Sequence, residues 1–191
     1  MLIGSRGVTS NMTRRLVIVR GPSCCGKSTL VRGLAKFPRL NAEYLMSDRF
    51  TFFFGGSWYA DQIPAHLRIT DYLQKLGRLA GELLTNHGDR DIIVEECFAS
   101  PDAVATVVKA AGRSLSDPSV FIITLFATKE RCAERCQQGG RRDKRPGDFQ
   151  EWGPGSEMVR QKWWLGLDTE ALAPEKVLQQ VQDHLLAMTI G

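Results

Sequence analysis

The stretch Leu16-Val17-Ile18-Val19-Arg20-Gly21-Pro22-Ser23-Cys24-Cys25-Gly26-Lys27-Ser28-Thr29 decides the fold of this 191-residue chain. Four apolar residues, three of them β-branched, read as a buried strand. After Arg20, the eight residues Gly21 to Ser28 complete a GxxxxGK[ST] pattern, and an amphipathic helical stretch runs from Ser28 to Phe37. A glycine-containing turn between a strand and a helix lets the backbone wrap a polyphosphate with its amide hydrogens pointing inward, and the helix N-terminus adds a positive dipole end. Gly21, Ser23, Cys24, Cys25, Gly26, Lys27, Ser28 and Thr29 are therefore the expected nucleotide-binding residues. Lys27 is expected to reach the β and γ phosphates, and the Ser28 hydroxyl to ligand a bridging Mg²⁺. Cys24 and Cys25 occupy positions whose backbone does the cradling. A redox role for these two thiols near a helix N-terminus is weighed, and plain loop filler is preferred.

Outward from the loop, apolar runs and helical stretches alternate. Ala42 to Met46 is the second strand, and Ile69, Tyr72, Leu73, Leu76, Leu79, Ala80, Leu83 and Leu84 mark a long helix that Gly88 would cap. Asp91 to Glu95 is the third strand; Ser100-Pro101-Asp102 then supplies an N-cap, a first-turn proline and a first-turn acid for a helix of about twelve residues. Val120 to Phe126 is the fourth strand, Thr128 caps a charged helix from Lys129 to Gln138, and Gly139-Gly140 stops it. Trp163 to Leu167 is a weaker fifth strand, and Pro174 opens a last helix. Continuous Val/Ile/Leu runs belong to strands covered on both faces, so the expectation is a three-layer α/β/α sandwich around a five-stranded parallel sheet. Residues 1–13 read as a loose leader, and 14–191 as one domain with an arginine-rich lid over about 128–160.

Composition excludes several classes. With 43% hydrophobic and 24% charged residues the chain is globular rather than disordered, and no apolar run is long enough to span a membrane. A soluble cytoplasmic protein is the expectation. The five cysteines are odd in number and lack CxxC spacing, which disfavours a disulfide framework or a zinc site. Cys132 and Cys136, four apart on a helix, read as small semi-buried side chains. The net charge of +4 equals the excess between Lys129 and Arg145, where seven basic residues face three acidic ones. A compact anion suits that cluster better than a polymer backbone does, so nucleic acid is disfavoured as a partner.

The loop specifies a nucleotide, not a reaction. GTPase signatures (NKxD, DxxG) do not occur, and a motor or AAA-type ATPase is set aside because such chains are normally longer. Met46-Ser47-Asp48-Arg49, Ile92 to Phe98, the arginine-rich stretch and Leu167-Asp168-Thr169 resemble the small-molecule P-loop kinases, chloramphenicol phosphotransferase most closely, with shikimate and gluconate kinases as wider relatives. The resemblance implies a P-loop kinase fold with an arginine-rich lid, ATP and Mg²⁺ as cofactors, and transfer of the γ-phosphate to a hydroxyl. It implies that Asp48 accepts the hydroxyl proton, that Glu95 sits in the metal shell and Glu96 faces substrate, that Arg135, Arg142 and Arg145 are lid arginines, and that Asp168 lies near adenine. Strand alternation sends Glu95 and Glu96 to opposite faces, so both cannot hold one ion directly. Arg49, Phe52, Phe54 and Trp58 fall in or beside an aromatic, glycine-containing segment suited to an apolar wall over the acceptor. A ring-bearing or hydrophobic alcohol, such as an antibiotic or a nucleoside-like compound, is the expected small-molecule partner. A polynucleotide 5′-hydroxyl kinase is the alternative, and a nucleotide-binding regulator without phosphotransfer is the second.

Overall fold

The computed structural model describes residues 14–46, 65–86, 89–98, 100–140, 152 and 164–187. They form the expected sandwich. Strands β1 (Leu16–Arg20), β2 (Ala42–Met46), β3 (Asp91–Glu95), β4 (Val120–Phe126) and β5 (Trp164–Asp168) make one sheet in the order β2-β3-β1-β4-β5. Every pairing is parallel, with Leu16 opposite both Ile92 and Val120. Between the strands run α1 (Lys27–Leu34), α2 (Ala65–Asn86), α3 (Pro101–Ala110) and α4 (Lys129–Gln138), and α5 (Pro174–Ala187) follows β5. The fifth strand lies one residue later than the sequence suggests, and α3 has ten residues rather than about twelve. The leader and Gly88 lie outside the described residues.

Side-chain alternation along β1 divides the core in two. Val17 and Val19 face α1, α4 and α5 through Leu30, Cys132 and Val181, whereas Leu16 and Ile18 face α2 and α3 through Leu76 and Val107. These four β1 side chains are fully buried, which is why this part of the strand reads as an unbroken apolar run. The caps read from sequence are formed: Ser100 Oγ accepts from the Ala103 amide at 3.2 Å and Thr128 Oγ1 from the Arg131 amide at 3.2 Å. No described helix is long and apolar enough to cross a membrane.

The α2–α3 contact depends on small residues. A Cβ on Gly77 would lie 2.5 Å from the Val107 carbonyl oxygen and 2.6 Å from Ala110 Cβ. Gly77→Ala gains about 1 kcal/mol of helix propensity, but overpacking against a backbone oxygen costs roughly 1–3 kcal/mol. The expected outcome is net destabilisation by about 1 kcal/mol, seen in thermal denaturation as a melting midpoint roughly 2–4 °C lower.

Candidate functional site

β1 lies between β3 and β4, and the chain leaves it for the far edge of the sheet before returning to β3. Such a reversal opens a crevice at the carboxyl ends of the strands. The phosphate-loop pattern occupies it. Gly21 has φ +150°, and a Cβ there would sit 2.3 Å from the Leu125 carbonyl oxygen, so the loop passes too close to β4 for any side chain. Gly26 precedes α1 in the left-handed region at φ +106°, where a glycine is favoured. The Gly21 amide donates to the Cys97 carbonyl at 3.4 Å, tying the loop to the end of β3.

A cavity of about 540 Å³ opens here, with Ser23 through Thr29 on one side and Glu95, Glu96 and Cys97 on another. Lys27 is buried, and its Nζ donates to the carbonyls of Gly21 at 3.0 Å and Pro22 at 2.9 Å. Burial works to lower its pKa, but the net shift is upward, because Cys25, Cys97, Glu95 and Glu96 all favour the charged ammonium. The Cys25 and Cys97 thiols are themselves pushed up by burial and stay protonated near neutrality, so there the carboxylates carry the effect. Lys27 is therefore a cation throughout the neutral range.

Ser28 Oγ donates to Glu95 Oε1 at 3.1 Å, and Glu95 is buried. Glu96 turns elsewhere: its Oε2 accepts from the Tyr72 hydroxyl at 3.1 Å, and its Oε1 from the Cys97 amide at 2.5 Å. The two neighbouring acids thus have different partners although both line the cavity; Glu96 lies one residue beyond the end of β3, so strand alternation does not send it to the opposite face. Serine and glutamate oxygens are hard donors of the kind Mg²⁺ takes, and an ion that keeps waters and phosphate oxygens needs only one or two of them. Among the described residues no group of three or more His, Cys, Asp or Glu is placed to cage a metal.

Arg135 reaches the cavity from α4. Its guanidinium donates to Thr169 Oγ1 at 3.0 Å and to the Thr169 carbonyl at 2.5 Å, joining α4 to the turn after β5. Arg131 pairs instead with Glu134 at 2.9 Å on the exposed face, an ordinary solvated ion pair. Asp168 is not a lining residue. Its Oδ1 accepts from the amides of Glu170 at 2.8 Å and Ala171 at 3.2 Å, so it organises the turn while Thr169 faces the cavity. Asp48, Arg49, Phe52, Phe54, Trp58, Arg142 and Arg145 lie outside the described residues.

Two features escape the sequence reading. Cys24 and Cys136, 112 residues apart, form a disulfide with a Cα–Cα distance of 5.5 Å, which corrects the reading of Cys24 as loop filler and of Cys136 as a plain semi-buried side chain. Only folding brings α4 to the phosphate loop, so spacing held no signal for the pair. Arg20, fully buried at the end of β1, lies 4.6 Å from the Trp152 ring centroid and donates to the Phe98 carbonyl at 2.9 Å. Burial lowers its pKa to about 10, against an opposing pull from Cys97, so it remains charged near neutrality. An arginine closing an apolar run was the available signal.

A family model described as an AAA domain matches residues 16–152. The family is thus one whose description falls in the AAA class that was set aside on length. No curated protein matches the chain. Similar solved structures include the Mycobacterium tuberculosis APS kinase in complex with AMPPNP and APS, at 20% identity and a TM-score of 0.64 over 90% of this chain and 98% of that one. A gluconokinase from Sinorhizobium meliloti 1021 has 15% identity and a TM-score of 0.60, covering 93% and 94%. The Deinococcus radiodurans tunicamycin resistance protein has 16% identity and a TM-score of 0.60, covering 90% and 96%. At these identities the likeness is one of fold: a P-loop α/β sandwich shared across nearly the whole of each chain.

Proposed function

The chain belongs to the AAA domain family, and from that premise we propose that it is an ATP- and Mg²⁺-dependent O-phosphotransferase acting on a hydroxyl of a small molecule. The observation that carries this reading is the convergence of Lys27, Ser28, Glu95 and Arg135 on one cavity at the carboxyl edge of a parallel sheet. Phosphoryl transfer needs little covalent chemistry from the protein; it needs cations around the phosphoryl oxygens and a nucleophile held in line. The loop amides and Lys27 hold the polyphosphate, and the Arg135 guanidinium adds planar donors that stay charged. Ser28 and Glu95 hold Mg²⁺, which supplies charge neutralisation at the phosphates when bound. Asp48, two residues beyond the end of β2, takes the proton of the acceptor hydroxyl. Arg142 and Arg145 complete the set of lid arginines.

The acceptor is a ring-bearing or hydrophobic alcohol, an antibiotic or a nucleoside-like compound, met by Arg49, Phe52, Phe54, Trp58 and Glu96. A cavity of about 540 Å³ is in the range of a small-molecule site. Among proteins of this fold, one similar structure is a tunicamycin resistance protein and others are kinases of sugar acids or APS, which supports a small acceptor.

The test is ATP consumption measured against a panel of hydroxyl-bearing antibiotics, nucleosides and oligonucleotides. Transfer to a small alcohol is expected, and Asp48→Asn is expected to lower kcat by on the order of 10²–10³ with nucleotide affinity unchanged. Full turnover by Asp48→Asn removes the base assignment. Transfer to oligonucleotides alone, with a steep salt dependence, replaces the acceptor class by polynucleotide ends.

A further inference from the structure

We propose that the Cys24–Cys136 bridge is a reversible thiol–disulfide exchange site, opened by a dithiol, which sets how tightly the cavity takes a nucleotide. The inference rests on the nucleotide reading of that cavity. Cys24 is the fourth residue of the GxxxxGKS loop and lines the cavity, whereas Cys136 lies in the last turn of α4, one residue after Arg135. Gln138 and Gly139, just beyond the bridge, also line the cavity. The bond therefore ties the phosphate loop to the helix end that forms part of the opposing wall.

The two sulfurs differ in access. Cys24 is half-buried at the cavity surface, while Cys136 is 0% exposed. A reductant thiolate consequently attacks Cys24 Sγ, the Cys24–Cys136 bond breaks, and Cys136 leaves as a thiolate that takes up a proton. The second thiol of the reductant then attacks the mixed disulfide and releases Cys24, which is protonated in turn. Two electrons have passed to the protein, the dithiol has become a disulfide, and a disulfide oxidant such as oxidised glutathione runs the sequence backwards. The remaining cysteines nearby do not compete. Cys25 and Cys132 are buried free thiols next to the bridge in sequence or one helical turn away, and Cys97 is a half-buried one across the cavity; burial pushes all three up, Cys132 to about 12, which leaves them poor nucleophiles.

The direction of control follows from what the tie restrains. In the bridged state the Lys27 ammonium is held by the Gly21 and Pro22 carbonyls within the loop itself. Taking a triphosphate requires Lys27 to turn from those carbonyls and the α4 end to move against the loop, since nucleotide kinases close and reopen around their substrate. A covalent link between loop and helix opposes that movement; two free thiols do not. Reduction therefore raises nucleotide affinity, and by linkage a bound nucleotide shifts the pair toward the dithiol by the same factor.

The experiment measures binding of a non-hydrolysable ATP analogue to full-length protein poised with oxidised glutathione or with dithiothreitol, the thiol state being counted by alkylation and mass. Reduced protein is expected to bind roughly tenfold more tightly, a typical coupling between two sites. Cys136→Ser is expected to keep the higher affinity under either condition, and in the parent protein saturating analogue is expected to displace the thiol–disulfide equilibrium in glutathione buffer toward the dithiol about tenfold. Equal affinity in the two redox states, or failure of the pair to close under oxidised glutathione, overturns the inference while leaving the phosphate-loop reading intact. Binding absent from every form, reduced and variant alike, removes the nucleotide reading and the inference together.

Discussion

Lys27→Met is expected to lower phosphoryl transfer by on the order of 10³ while the protein stays folded, because the transition state loses a buried, preorganised cation from the phosphate oxygens. Lys27 is buried at the cavity wall, and the carboxylates Glu95 and Glu96 help keep it charged. Its present partners are two loop carbonyls, neutral groups from which it can be drawn by an anionic phosphate. Methionine preserves the length and apolar stem of the side chain, so the change removes charge with little loss of packing. The measurement is steady-state kcat for ATP consumption with the accepted alcohol, with circular dichroism to report folding. Turnover within tenfold of the parent would show that the loop does not serve the reacting phosphate.

How far the molecule was legible in its sequence follows from the range of each interaction. The sheet was legible because its signals are local: unbroken apolar runs such as Val120 to Phe126, with all seven residues buried, belong to strands covered on both faces. Ser100 and Thr128 were legible as caps because a cap needs only the next three residues. The phosphate loop was legible for the same reason. Contacts made only by the fold were not. Cys24 meets Cys136 because β1 and β4 pair side by side and set the loop and α4 together, a fact of topology that spacing does not encode. Asp168 was read as a nucleotide contact, yet strand register places its carboxylate against the amides of its own turn and gives the cavity to Thr169. The distinction between Glu95 and Glu96 was half legible: two roles were expected, but both acids line the cavity and what separates them is Tyr72, more than twenty residues upstream, which engages Glu96.

That separation gives the second large effect. Glu95→Gln is expected to lower kcat by on the order of 10² at ordinary Mg²⁺ and to raise the Mg²⁺ concentration needed for half-maximal rate by roughly 10–100-fold. The amide keeps the shape and one acceptor oxygen for the Ser28 hydroxyl, now 3.1 Å away, so the loop geometry survives. What is lost is the negative charge beside a hard divalent ion, together with part of the field that keeps Lys27 an ammonium. Glu96→Gln is the contrast. Its carboxylate is engaged by Tyr72 and the Cys97 amide rather than by Ser28, so its Mg²⁺ requirement should not move, whereas the KM for the acceptor should rise. Titration of activity against Mg²⁺ for the two variants separates the roles without knowledge of which alcohol is phosphorylated in the cell. If Glu96→Gln shifts the Mg²⁺ requirement and Glu95→Gln does not, the acid that serves the metal is the one paired with Tyr72. The hydrogen bond from Ser28 then orders the loop alone.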